Sequence, residues 1–118
     1  MKILGTGIDI VEVDRIARAI ERWGDGFLKH VFTKEEIDYA KKMRNPSEHF
    51  AARFAAKEAV FKAIGNDPTI TWKDIQISHN KSGGPICLYR RKNLKKRQIL
   101  ISISHTKHYA AASAIITS

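Results

Sequence analysis

Phe54-Ala-Ala-Lys-Glu-Ala-Val-Phe-Lys62 decides how the rest of this 118-residue chain is read. The run predicts a helix interior, and at helical pitch Glu58 and Lys62 fall on one face. Phe50, Phe54, Phe61 and Ile64 recur at the same spacing and predict an apolar stripe for the core. Lys57 falls inside that stripe, where an ammonium is costly unless it finds a partner. A helix carrying a carboxylate, two lysines and Arg53 beside its own core stripe suits anionic chemistry.

Working outward, Asn45-Pro-Ser-Glu48 reads as a capping box with Pro46 at the first helical position, and Gly65 as the C-cap. Thr33-Lys-Glu-Glu36 is an earlier capping box, opening a helix to about Arg44. Residues 2–13 predict a strand whose regularity is broken by Gly5 and Gly7. Asp14 reads as the N-cap of a helix over 15–23, with Ile16, Ile20 and Trp23 on one face and Arg15, Arg18 and Arg22 as a basic edge. Gly24-Asp-Gly26 then ends it. Downstream, strands are predicted over 70–78, Pro85–Tyr89, 99–104 and Tyr109–Thr117, with a turn at 79–84 and a tight hairpin at Thr106-Lys107. Links this short favour an α+β fold: an antiparallel sheet packed against a long central helix, in one domain over residues 1–118.

The formal net charge of +9 favours anionic partners without choosing among them. Residues 90–97 are the densest basic run and read as a solvated turn or short helix between strands. No apolar run is long enough for a membrane span, the N-terminus does not read as a signal peptide, and Cys87 alone excludes an intrachain disulfide. A soluble, cytoplasmic protein is expected.

Several residue types point to chemistry. Asp9 reads either as a strand aspartate facing water or as a hard-cation ligand, with Glu58 as a second carboxylate. Mg²⁺ takes one or two protein carboxylates and fills its octahedron with water and phosphate oxygens. Glu58 reads equally as an i,i+4 partner of Lys62. Lys62 and Arg53 either hold phosphate or lie on a solvated face. His105, at a strand end, is a structural histidine, a phosphate donor or a general base. His30, His49, His79 and His108 lack metal-ligand spacing, and there is no P-loop, Rossmann fingerprint or nucleophile elbow. A rival reading is a small basic nucleic-acid-binding domain, but no RRM, KH or OB-type motif is present.

Three segments change the balance: Gly5-Thr-Gly-Ile-Asp-Ile-Val-Glu-Val-Asp-Arg-Ile16, Arg53-Phe-Ala-Ala-Lys-Glu-Ala-Val-Phe-Lys-Ala-Ile-Gly65 and Ser102-Ile-Ser-His-Thr106. In this order and spacing the chain resembles the holo-(acyl-carrier-protein) synthase family, the small 4′-phosphopantetheinyl transferases of fatty-acid biosynthesis. The Thr33–Glu36 box, the Ser82-Gly-Gly-Pro85 turn and the Tyr109-Ala-Ala-Ala112 strand extend the resemblance over nearly the whole chain. It implies transfer of 4′-phosphopantetheine from coenzyme A to a serine of apo acyl carrier protein, releasing adenosine 3′,5′-bisphosphate. It implies Mg²⁺ on Asp9 and Glu58, catalysis by Glu58 and Lys62, and coenzyme A contacts from Arg53, Lys62, Gly65, His105 and Thr106. It implies docking of an acidic acyl carrier protein on Arg15, Arg18 and Arg22. A homotrimer with interface active sites, and neither membrane nor nucleic acid as partner, are also implied. Lys57 is expected to hold the Glu58 geometry. The turn reads Gly83-Gly84-Pro85 where the family commonly has Gly-Lys-Pro, so a basic group near the cofactor is either missing or supplied by Lys81.

Overall fold

The computed structural model describes residues 1–90 and 97–118, so most of the basic run at 90–97 lies outside the described residues. Strand β1 (Ile3–Glu12) is followed by helices α1 (Val13–Trp23), α2 (Asp25–Val31), α3 (Lys34–Lys41) and α4 (Pro46–Ile64). A 3₁₀ turn (Trp72–Asp74) leads into β2 (Ile75–His79) and β3 (Pro85–Tyr89); β4 (Gln98–His105) and β5 (Tyr109–Thr117) follow. The strands form two antiparallel sheets rather than one, ordered β1-β5-β4 and β2-β3. The α+β architecture with a long central helix is as the sequence predicts.

Helix α4 is 19 residues long and buried around most of its circumference. Its buried surface is chiefly alanine: Ala51, Ala52, Ala55, Ala56, Ala59 and Ala63, with Val60. The expected phenylalanine stripe is only partly core. Phe50 is buried, whereas Phe54, Phe61 and Ile64 are half-buried. Phe54 stacks on Trp72 at 5.2 Å between centroids, and Phe61 meets the same indole edge-on at 4.9 Å. Trp72 therefore supplies the aromatic surface that covers this flank.

Small residues also line the facing strands. Ala110, Ala112 and Ala114 of β5 are buried. A Cβ at Gly7 would collide with the Ala59 carbonyl oxygen, and one at Gly5 with that of Ala63. These glycines do not merely interrupt the strand; they let α4 lie directly on β1. That approach places Asp9, on the same inward row, beside the helix.

Local differences from the predicted boundaries have identifiable causes. Helix α1 starts at Val13, and Asp14 sits in its first turn, paired with Arg18 at 2.8 Å instead of capping. The Val13 N–H donates to the His108 carbonyl at 2.8 Å, so tertiary structure satisfies a donor that a cap would otherwise take. Gly24 ends α1 at φ 55°, and α2 begins immediately, a helix the sequence reading did not assign. Its Leu28 and Val31 are buried, and that burial stabilises a helix too short to stand alone. Helix α3 stops at Lys41, short of Arg44. Its capping box forms: the Glu36 N–H donates to Thr33 Oγ1 at 3.3 Å and the Thr33 N–H to Glu36 Oε1 at 2.8 Å. The box expected at Asn45 does not form. Glu48 donates its N–H to the Asn45 carbonyl, and its carboxylate faces His105 at 3.3 Å. The strand expected over 70–78 begins only at Ile75, because the Thr71 N–H donates to Asp74 Oδ2 at 2.9 Å and tightens the preceding turn.

Candidate active site

Asp9 lies on the inward face of β1, in one cross-sheet row with Ala112 and Ile103. The reading of a strand aspartate pointing into water is therefore wrong. Lys62 reaches across from α4, donating to the Ile8 carbonyl at 2.9 Å and to Asp9 Oδ1 at 3.3 Å. Its ammonium is thus turned to β1 and is not spent on a pair along the helix. Glu58, one turn before it, is half-buried. Burial first, and then the nearby Asp9 charge, push the Glu58 carboxyl above its ordinary value against the opposing pull of Lys62 and Arg15. Two carboxylates far apart in the sequence are therefore close enough to repel, with Lys62 and Arg15 as the opposing charges. Hard oxygen donors under mutual repulsion suit a hard divalent cation, and only two protein ligands leave positions for water and phosphate. A cavity of about 480 Å³ opens here, lined by Ile8, Asp9, Ile10, Lys62 and Ala111.

Arg53 belongs to a second cluster. It is 3% exposed, and its guanidinium carbon lies 4.1 Å from the Tyr39 ring centre. Its Nη2 approaches His79 Nδ1 at 3.4 Å, and its Nε is buried without a hydrogen-bond partner among the described residues. Burial lowers the Arg53 pKa, and Tyr39 and Glu36 oppose that shift. His105 holds Glu48 at 3.3 Å and packs edge-on against His49 at 5.2 Å. Tyr39, His49, Arg53, His79 and His105 line a cavity of about 240 Å³. This cavity is separate from the one beside Asp9. Thr106 lies next to His105, and its hydroxyl accepts the Tyr109 N–H at 3.1 Å and the His108 N–H at 3.3 Å, organising the predicted hairpin. Gly65 takes up φ 100° just past Lys62, as the C-cap reading predicts.

Lys57 does not hold Glu58 in place. It points to the opposite side of α4 and is fully buried. Its Nζ bonds Glu36 at 2.6 Å, the Val31 carbonyl at 2.8 Å and the Trp72 carbonyl at 3.0 Å. All three ammonium donors are satisfied. Burial lowers the Lys57 pKa, and Glu36 resists that shift. The second Glu36 oxygen accepts the Ile77 N–H at 2.8 Å, so this one carboxylate ties α3, α4 and β2 together.

The three arginines of α1 diverge. Arg15 lies near enough to Glu58 to draw its pKa down, Arg18 pairs with Asp14, and Arg22 stacks on Trp23 at 4.9 Å. The turn before β3 is fixed by Asn80, whose Oδ1 accepts the Ser82 and Gly84 N–H groups, and Lys81 is exposed on it. Sequence reasoning did not assign Tyr39, His49 or His79 to a site, and did not find Glu36 as the partner of Lys57. The requirement that Lys57 have a buried partner was the available signal for the last of these.

Residues 5–114 match the sequence profile of the 4′-phosphopantetheinyl transferase superfamily. A holo-(acyl-carrier-protein) synthase of Koribacter versatilis is 47% identical, covering 97% of this chain and 98% of its own. The synthase of Thermodesulfovibrio yellowstonii is 46% identical, covering 98% of this chain and 99% of its own. Among solved structures, a holo-(acyl-carrier-protein) synthase from Bacillus anthracis in complex with CoA (3′,5′-ADP) superposes with a TM-score of 0.84 at 32% identity, over 98% of this chain and 97% of that one.

Proposed function

The chain belongs to the 4′-phosphopantetheinyl transferase superfamily, and from that premise we propose that it is a holo-(acyl-carrier-protein) synthase whose reaction runs at the Asp9–Glu58–Lys62 cluster. It transfers 4′-phosphopantetheine from coenzyme A to a serine of apo acyl carrier protein, in fatty-acid biosynthesis. The carrying observation is the convergence of Asp9, Glu58 and Lys62 from strand and helix. Asp9 and Glu58 would hold Mg²⁺, which supplies Lewis-acid neutralisation of the pyrophosphate. Lys62, already oriented by the Ile8 carbonyl, places a second positive charge where phosphate oxygens gather. The serine oxygen forms a bond to the phosphorus bearing pantetheine, and the bond from that phosphorus to adenosine 3′,5′-bisphosphate breaks. Glu58, or a water ordered by the metal, would accept the serine proton.

Arg53, His105, Thr106 and Gly65 are read as the coenzyme A contacts. A homotrimer with interface active sites would join the acidic half-site of one copy to the Arg53 half-site of the next. The outer face of the β1-β5-β4 sheet supports that reading, since Ile8 is 71% exposed and Ile10 67%, with Leu100 and Ile115 in the adjoining strands. An apolar sheet face of this kind calls for cover. Arg15, Arg18 and Arg22 would receive an acidic carrier protein, and Arg15 brings that surface up to Glu58. Among the described residues no helix is long and apolar enough to cross a membrane, and we place the enzyme in the cytoplasm.

The test is the intact mass of an apo acyl carrier protein after incubation with this protein, coenzyme A and Mg²⁺. A gain of one phosphopantetheine, abolished by EDTA, is expected. No gain with several folded carrier proteins would remove the reading, and salt-sensitive binding of bulk RNA in its place would favour the nucleic-acid alternative.

A further inference from the structure

The Arg53 cavity gathers one arginine and three histidines. Arg53 enters from α4, His79 from the end of β2 and His105 from the end of β4, while His49 lies one helical turn before Arg53. Tyr39 of α3 covers the guanidinium face and contacts both His49 and His79, at centroid distances of 6.0 Å and 4.9 Å. The acids near this group are already committed. Glu48 is held by His105, and Glu36 by Lys57 and two backbone N–H groups. Arg53 Nε remains buried and unpartnered among the described residues, a state that costs free energy unless a ligand supplies an acceptor.

The Arg53–His79 contact also has a protonic meaning. Arg53 Nη2 is a donor, so at 3.4 Å His79 Nδ1 must accept, which requires a neutral ring. Burial first, and then neighbouring basic groups, hold His49 and His79 below the ordinary histidine value, with Glu48 opposing the shift at His49. A dianion seated among these groups reverses that balance, because each imidazole then gains by carrying a proton.

We infer that His49 and His79, with Arg53, form a proton-coupled site for a phosphate monoester: the two rings are neutral in the free protein and take up protons as the dianion binds. The inference rests on the coenzyme A reading for one source of that group, and free inorganic phosphate is the other source with the same chemistry. The sign follows from linkage. Binding raises the imidazole pKa values, so affinity is greatest at low pH and falls as pH rises through the bound-state values, by up to about tenfold per pH unit for each coupled proton.

Calorimetric titration at pH 7.5, in buffers of differing ionisation enthalpy, reads the proton count directly. That pH is above the second phosphate pKa of about 6, so the ligand enters as a dianion. Uptake with coenzyme A that disappears with dephospho-coenzyme A would identify coenzyme A as the source. Uptake with inorganic phosphate, and none added by coenzyme A, would identify free phosphate. The H49Q/H79Q double variant should lose the uptake and bind with a flatter pH profile between pH 6 and 8. Imidazole NMR titration of the unaltered protein, with and without ligand, gives the same answer if the double variant fails to fold: two histidine pKa values should rise on binding. Coenzyme A or phosphate binding with no proton uptake, or uptake unchanged in the folded double variant, overturns the inference. Phosphopantetheine transfer measured on the same preparation separates the two readings, since transfer without proton uptake removes only this one.

Discussion

Lys57 and Glu58 are neighbours in α4, yet they point into opposite kinds of environment. Lys57 is fully buried, with its ammonium bonded to Glu36 and two carbonyls. Glu58 is half-buried beside a second carboxylate, with its pKa raised. The first region has its buried ammonium matched by a carboxylate and two carbonyls; the second sets two carboxylates against each other, one of them partly desolvated. A fully satisfied buried pair holds helices and a strand in place, whereas a repelling acidic pair at a cavity is poised to take something up.

The largest effect should come from breaking the satisfied side. Lys57→Ala leaves Glu36 charged and buried, and should cost about 3–5 kcal/mol of folding stability, measured by denaturant melting. Replacing both partners together, as Lys57→Met with Glu36→Gln, should cost clearly less than that single change; an equal or larger loss would mean the pair is not the unit that matters. On the other side of the helix, Asp9→Asn should leave the fold intact and lower transfer by on the order of 10²–10³-fold, measured by the carrier-protein mass assay. Full activity at limiting Mg²⁺ would break the contrast between the two sides.

Gly7→Ala probes the seam between them, because its Cβ meets the Ala59 carbonyl. It should cost roughly 1–3 kcal/mol through overpacking and should also weaken transfer by moving Asp9 away from α4. Stability lost with transfer kept at a matched folded fraction would show that the close approach is not needed for the site. The smallest effect is electrostatic. Raising salt from about 50 to 200 mM should increase the carrier-protein KM a few-fold, and more than that for coenzyme A, because exposed arginines are screened more than cavity groups. Equal sensitivity would detach Arg15, Arg18 and Arg22 from partner capture.

The sequence was informative wherever one local rule decided the outcome. The Thr33–Glu36 box, Pro46 at a helix start, Gly65 at its end and the strand alternation in β5 each depend on near neighbours in the chain. It was least informative where long-range packing chose among options. Helix α2 exists because Leu28 and Val31 find the core, and Glu36 meets Lys57 only once α3 lies on α4. Glu48 could have capped its own helix but faces His105, a residue 57 positions further along the chain. Asp9 and Glu58 illustrate the same limit. Their residue types suggested a cation site, but only the glycine-lined contact of β1 with α4 brings the carboxylates together. The histidines of the Arg53 cavity lie on three separate elements, so no spacing in the chain announces them.

Glu58→Gln, measured for stability and transfer on one preparation, tests the contrast most directly. A carboxyl whose folded pKa is raised loses stabilising free energy as pH rises from its ordinary value through the folded one, so the amide should remove that loss. The account predicts that the variant, without divalent cation at pH 7.5, melts at or slightly above the unaltered protein, gains no stability from Mg²⁺, and adds no phosphopantetheine to the carrier protein. A variant that melts lower and still transfers at the original rate would contradict it, because Glu58 would then be a structural residue like Lys57.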